Sequence, residues 1–216
     1  MAILTTGCAA HIAGSPFPVA ALPTLPTDPT ADTVTTPPCD PGKLIGCLMA
    51  VPTDAQLMTD SEAPNGALTP KQYADDFFGP ETEQDVMSGL SGYGVISIVH
   101  LGVARDIDQD LADVVLLDFG SDQSAIGWSS SDDSEDLADP EDYQQITVPP
   151  AVAAAAAGLQ MFSSPAPDKD GYLETDAYGS YGTVALEVFV ETKDSPDVAR
   201  VSAWLEQQAA PLAGLR

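Results

Sequence analysis

Tyr172-Leu-Glu-Thr-Asp-Ala-Tyr-Gly-Ser-Tyr-Gly-Thr-Val-Ala-Leu-Glu-Val-Phe-Val190 has the pattern of an antiparallel hairpin. Two β-rich runs, 172–178 and 183–190, flank a Tyr-Gly-Ser-Tyr-Gly connection that supplies glycine for a tight reversal. In the second run Leu186, Val188 and Val190 alternate with Glu187, Phe189 and Glu191, so one face of the strand is expected to be wetter than the other. After the hairpin, Ser195 and Pro196 open a helix with Val198, Val201, Trp204, Leu205 and Gln208 at near-helical spacing.

The same reading extends upstream. Val95–Val103 is β-branched and bounded by glycine and by the polar 105–110 segment; Asp113–Phe119 is its natural hairpin partner. Gly120-Ser121 leads into a short helix with Ala125, Ile126 and Trp128 on its apolar side. Segments 144–148 and 159–162 read as further strands. Thr69-Pro70 is a helix N-cap followed by proline at the first helical position, after which Tyr73, Ala74, Phe77 and Phe78 share a face and Gly79-Pro80 ends the run. A second helix begins near Glu81 with acidic residues in its first turn, turns Val86, Met87 and Leu90 inward, and ends in the glycine-rich 89–94 segment. Lys43–Val51 reads as a short strand or the start of the core. Few parallel-crossover signals are present. The order therefore predicts an α+β domain, an antiparallel sheet of about five to six strands with helices packed on a face, an α/β sandwich.

Charge narrows the partners. Across 216 residues, 33 acidic against 7 basic side chains give a formal charge of −26, which repels a phosphate backbone and disfavours direct docking on an anionic membrane. Nucleic acid is excluded as a partner on this ground. An apolar fraction of 44% suffices for a core. The acidity itself suits either a soluble exposed surface or life in high salt, and its clustering in loops favours the first. No run of 18 apolar residues is present to span a bilayer.

Residues 9–38 contain Pro16, Pro18, Pro23, Pro26, Pro29, Pro37 and Pro38 among Thr, Ala and Asp, with almost no aromatics. Such a composition buries too little apolar surface to offset ordering entropy, so a tether is expected, reaching roughly 30 Å as a coil and about 90 Å extended. The domain organisation expected is a signal remnant at 1–8, the tether at 9–38 and a single α+β domain at 39–212. Cys39 and Cys47 bracket Asp-Pro-Gly-Lys-Leu-Ile-Gly, where Pro41-Gly42 offers a turn. A disulfide is expected between them, with metal binding as the rival reading that lacks a third or fourth ligand nearby.

Met1-Ala-Ile-Leu-Thr-Thr-Gly-Cys8-Ala9 resembles the lipobox of bacterial lipoprotein signal peptides. The family usually has Leu three residues before the cysteine, where this chain has Thr5, with Leu4 one position further out. A charged n-region and a full apolar h-region are also missing, which fits a Met1 lying inside a longer signal. The resemblance implies lipidation of Cys8 and attachment to the extracytoplasmic face of the cell membrane through the N-terminal lipid; the rival reading is a buried or free thiol in a disordered N-terminus. Asn65-Gly-Ala-Leu-Thr69 before an aromatic helix, Leu90-Ser-Gly-Tyr-Gly94, and Leu117-Asp-Phe-Gly-Ser121 with its following helix are similar to uncharacterised actinobacterial secreted lipoproteins. Their order also resembles the extracytoplasmic sensor-type domains of some mycobacterial serine/threonine kinases and the PsbP/Mog1 α/β sandwich. That resemblance implies no catalytic residues.

Sites for chemistry are scarce. His100 in a strand is the one histidine a Ser-His-Asp triad could use, but no Gly-x-Ser-x-Gly elbow accompanies it and Ser97 points to the opposite strand face. A strand histidine with a local partner is expected. Asp132, Ser134 and Asp136 match the first alternate ligands of a calcium loop, yet Leu137 and Tyr143 stand where glycine and glutamate are needed. Asp168-Lys-Asp-Gly171 reads as a turn before it reads as a cation site. Tyr172, Tyr178, Tyr181, Phe189 and Trp204 serve either packing or a ligand surface. No cofactor, metal or catalytic residue is assigned. Three functions remain: a non-enzymatic binding or sensor-like lipoprotein domain, with a small apolar ligand among its partners; an accessory subunit of a membrane protein complex; and, last, a hydrolase.

Overall fold

The computed structural model describes residues 39–58, 64–80, 82–106, 110–131, 143–148, 150–153, 156–168, 171–193, 195 and 198–215. Cys8, the expected tether and the Asp132–Asp142 run lie outside the described residues. Within them the strands in chain order are β1 (Gln56–Leu57), β2 (Gly66–Leu68), β3 (Ser97–Asp106), β4 (Asp110–Asp118), β5 (Gln144–Ile146), β6 (Ala157–Ser163), β7 (Leu173–Tyr181) and β8 (Val184–Thr192). The helices are α1 (Pro70–Phe78), α2 (Glu83–Tyr93), α3 (Asp122–Ser131), α4 (Pro150–Ala153) and α5 (Val198–Leu212).

The hairpin of β7 and β8 is tighter than the sequence suggests. Tyr181 pairs with Val184, so the reversal is the two residues Gly182-Thr183, and Gly179 to Tyr181 belong to the strand. Gly182 is held at φ 56°, and a Cβ there would run into the backbone carbonyl oxygen of Leu215. Only glycine meets both demands. β4 adds to the other edge of β8 in register from Asp110↔Thr192 to Asp118↔Val184, and β3 follows. The sheet is antiparallel throughout, in the order β1-β3-β4-β8-β7-β6-β5, with β2 also on β3.

Eight strands exceed the five or six expected, because β1 and β2 have two and three residues and carry no periodicity to read. Both pair with the outer edge of β3, and Asn65 fills the gap between them. Its Oδ1 accepts from the Gly102 backbone N–H at 2.6 Å while its Nδ2 donates to the Met58 carbonyl. The side chain thus substitutes for a missing strand rung.

Helices cover both faces, where the sequence predicted one. The cause is the doubly apolar centre. Val99, Leu101, Val103, Ala112, Val114, Leu116, Leu186, Val188 and Val190 form one core with Val201, Trp204, Leu205 and Leu212 of α5. Ile98, Val115, Leu117 and Ala185 point the other way, to Tyr73 and Ala74 of α1, Val86 and Leu90 of α2, and Ala125 and Trp128 of α3. Ile126, expected on the apolar side of α3, is instead 43% exposed. α1 begins with the expected cap: Thr69 Oγ1 accepts from the Gln72 N–H, and Gln72 Oε1 accepts from the Thr69 N–H, a reciprocal capping box. α2 ends on Gly94 at φ 77°, a left-handed C-cap.

Cys39 and Cys47 are joined by a disulfide with Cα atoms 4.9 Å apart. The loop they close is 3₁₀-helical over Pro41–Cys47, started by Asp40 accepting from the Gly42 N–H, and is not the strand considered for Lys43–Val51. Gln208 of α5 clasps it: the Met49 N–H donates to Gln208 Oε1 at 2.8 Å, and Gln208 Nε2 donates to the Cys47 carbonyl at 2.7 Å. The Cys39 N–H donates to the Pro211 carbonyl. A polar residue at a helix position that the sequence marks as apolar is thereby fully satisfied inside the core.

Candidate functional site

Alternation along the strands puts an unusual set of side chains on the face under α1, α2 and α3. Cross-strand registers place His100 beside Val115, Val115 beside Glu187 and Glu187 beside Tyr178 in one row. The next row runs Gly102, Asp113, Phe189, Asp176, Phe162. Leu111, Glu191 and Glu174 make the row after that. One sheet face thus carries five carboxylates interleaved with aromatics. Asp113, Asp176 and Glu187 are buried, the last at 1% exposure, and Glu174 and Glu191 are half-buried. The strand face expected to be wet is dry at Glu187, because two helices sit on it.

Burial of so much charge demands partners. Glu187 Oε2 accepts from the Tyr73 hydroxyl at 2.7 Å and Oε1 accepts from Trp128 Nε1 at 2.8 Å. One carboxylate of β8 therefore pins α1 and α3 to the sheet. His100 Nε2 lies 2.7 Å from Asp113 Oδ1, and its Nδ1 lies 3.3 Å from the Pro64 carbonyl oxygen. Phe77 meets the imidazole edge-on at 5.4 Å between centroids and stacks on Phe189 at 5.5 Å, closing the pair from above. Beneath it, Gly102 keeps the floor open: a Cβ there would lie 2.9 Å from Met58 Cε, 3.1 Å from Asp113 Oδ1 and 3.1 Å from His100 Cε1. The expectation of a strand histidine with a local partner is met in this geometry, and both ring nitrogens are committed.

Toward the open end of the face the support thins. Glu174 and Glu191 stand directly opposite each other on β7 and β8. Glu174 Oε2 accepts from the Tyr143 hydroxyl at 3.0 Å. Burial pushes the Glu174 carboxyl above its ordinary value, against the Tyr143 hydrogen bond, with the charge of Asp168 adding to the rise. Glu191 is pushed up to about 8, first by burial and then by the charges of Glu174, Asp113 and Asp168. Tyr178, Phe162, Tyr143 and Phe189 pack together beside them.

The other sequence candidates separate from this face or join it only in part. Asp168 makes the expected turn: its N–H donates to the Tyr172 carbonyl at 2.7 Å, and its Oδ1 accepts from the Tyr172 N–H at 2.8 Å. Lys169 and Asp170 lie outside the described residues, as does the Asp132–Asp136 calcium-like run. Among the described residues no group of three or more His, Cys, Asp or Glu is placed to hold a metal ion. The C-terminal aromatics divide between the two faces: Tyr178 and Phe189 belong to the site face, Tyr181 and Trp204 to the α5 core. The sequence reading missed Tyr73, Glu187, Glu174 and Glu191 as a set. The signal available was the charged half of the β8 alternation, which carries glutamate where a solvated strand would equally carry it.

No protein-family model and no curated protein matches the sequence. The structure is similar to the crystal structure of the extracellular domain of PknH from Mycobacterium tuberculosis, with a TM-score of 0.52 and 11% sequence identity, over 81% of this chain and 98% of that one. That likeness is one of fold, an α+β architecture shared with the extracellular domain of a mycobacterial kinase.

Proposed function

We propose that the protein is a non-enzymatic, extracytoplasmic binding or sensor-like domain, lipid-anchored through Cys8 and held clear of the membrane by the 9–38 tether. The observation that carries the reading is the shared architecture, which spans nearly all of a kinase extracellular domain. The Cys39–Cys47 bridge supports an oxidising compartment, since such bonds are rare where thiols are kept reduced. Against a hydrolase, His100 spends its ring nitrogens on Asp113 and Pro64 under Phe77, leaving none to activate a hydroxyl nucleophile. The ligand-facing region in this reading is the open end of the acidic face, where Tyr143, Phe189, Glu174 and Glu191 combine aromatic surface with hydrogen-bond acceptors.

Native mass spectrometry of protein taken from its own membranes tests the assignment. The expected result is an acyl mass on Cys8, a two-hydrogen deficit from the 39–47 bridge, and a retained ligand. Protein recovered from the cytosol with three reduced, unmodified cysteines overturns it.

A further inference from the structure

The open end of the acidic face has the parts of a proton-operated device, independent of any ligand. Glu174 and Glu191 are an in-register cross-strand pair, so their Cβ atoms stand about 4.5–5.5 Å apart, where two like charges repel. Asp168 from the turn and Asp113 from β4 add negative charge to Glu191, and Asp176 shares the face one row away. The cation described beside this end, Lys193, sits over the Tyr172 ring at 4.9 Å. No described cation is paired with either glutamate. Two such carboxylates keep their places together only while a proton is bound to one of them.

The two partners are held unequally. Glu191 lies inside the sheet, flanked by Leu111 of β4 and by Glu174 of β7. Glu174 lies at the start of β7, where the backbone beyond it is Ser164: the Ser164 N–H donates to the Glu174 carbonyl and the Glu174 N–H donates to Ser164 Oγ, both at 2.9 Å. Its side chain is tied by the Tyr143 hydroxyl, and Tyr143 immediately precedes β5, a three-residue strand that, among the described residues, pairs with β6 alone. Repulsion between the pair is relieved by swinging Glu174 outward, and that movement breaks the Tyr143 hydrogen bond, leaving β5 with its pairing to β6 and the packing of Ile146 on the core.

We propose that Glu174 and Glu191 form a proton-operated catch on this edge of the sheet: while one of them holds a proton, Tyr143 and β5 stay docked, and when it leaves, the edge strand is released. Burial and the neighbouring carboxylates push Glu191 up to about 8, so the release belongs to mildly alkaline conditions.

The test follows amide exchange across residues 144–146 and 161–163 in the full chain between pH 6 and 9, corrected for intrinsic exchange, alongside carboxyl chemical shifts of glutamate. Wild type is expected to lose at least tenfold in protection with a midpoint matching the Glu191 carboxyl titration. Glu191→Gln, neutral at every pH, is expected to keep high protection throughout. Tyr143→Phe is expected to show low protection already at pH 6 while Glu191 still titrates. A Glu191 midpoint in the ordinary carboxylate range overturns the proposal. So does an edge that keeps its protection after Glu191 has lost its proton, or a loss that persists unchanged in Glu191→Gln.

Discussion

Replacing Glu187 tests whether the acidic face is held together by its hydrogen bonds. Glu187→Leu keeps approximate volume, removes the charge, and leaves the Tyr73 hydroxyl and Trp128 Nε1 without the acceptors that now lie at 2.7 and 2.8 Å. A buried donor stripped of its acceptor costs about 1–3 kcal/mol, so these two donors together cost about 2–6 kcal/mol. The opposing gain is the desolvation penalty no longer borne by a buried carboxylate, which in some proteins makes apolar replacement of buried ionic groups stabilising by about 1–4 kcal/mol. The first effect wins here because Tyr73 and Trp128 stay buried among rings, with Tyr73 5.4 Å from Phe78 and Trp128 5.6 Å from Phe119, and cannot turn to water. Glu187→Gln keeps an acceptor for Trp128 and is expected to lose about 1–2 kcal/mol. Urea unfolding at pH 7, followed by tryptophan fluorescence and by circular dichroism, reads both. Adding Tyr73→Phe to Glu187→Leu should cost less than the two single changes summed, because one stranded hydroxyl is then gone. A Glu187→Leu protein as stable as wild type, or more so, refutes the reasoning and shows that desolvation of the charge outweighs its bonds.

His100→Ala strands the buried Asp113 carboxylate and should destabilise by about 3–5 kcal/mol, with Asp113→Asn in the same background recovering part of the loss in thermal unfolding. Reducing the Cys39–Cys47 bridge should cost about 2–3 kcal/mol, the chain-entropy value for so short a loop, seen as a lower urea midpoint in dithiothreitol. Stability should also fall as pH rises. With Glu191 raised from 4.5 to about 8 in the folded state, the native protein holds a proton that the unfolded chain has released, so its contribution is present in full below pH 4.5 and is lost progressively up to pH 8. The slope approaches about 1.4 kcal/mol per pH unit from this group, and Glu191→Gln should flatten it.

Most of the architecture is written in local signals. The capping box at Thr69 and Gln72, the positive-φ glycines at the ends of α2 and of the β7–β8 hairpin, and the runs Val95–Val103 and Asp113–Phe119 each specify one element within a few residues. What escaped was set by tertiary context. β1 and β2 exist because the edge of β3 is there to pair with, and Asn65 joins them through a side chain whose role no spacing rule reveals. The Pro41–Cys47 segment is apolar enough to read as a strand, yet its Asp40 cap and its disulfide curl it into a 3₁₀ turn that α5 then clasps through Gln208.

The polar face was hidden for a related reason. A glutamate alternating with valines means a half-solvated strand if nothing covers it, and a buried charge if a helix does. Which applies to Glu187 depends on Tyr73, more than a hundred residues earlier, and on Trp128 from a third element; sequence periodicity sees none of these pairings. The same logic separates the two ends of one strand. Under α1 and α3 the carboxylate of Glu187 has donors and fixes the fold in place. Four residues on, past the helices, the described donor is the single Tyr143 hydroxyl, which serves Glu174, and Glu191 depends on a proton. A face built this way is rigid where it is covered and responsive where it is not, so a sensor role is better sought at Glu174, Glu191 and Tyr143 than at the histidine that first draws the eye.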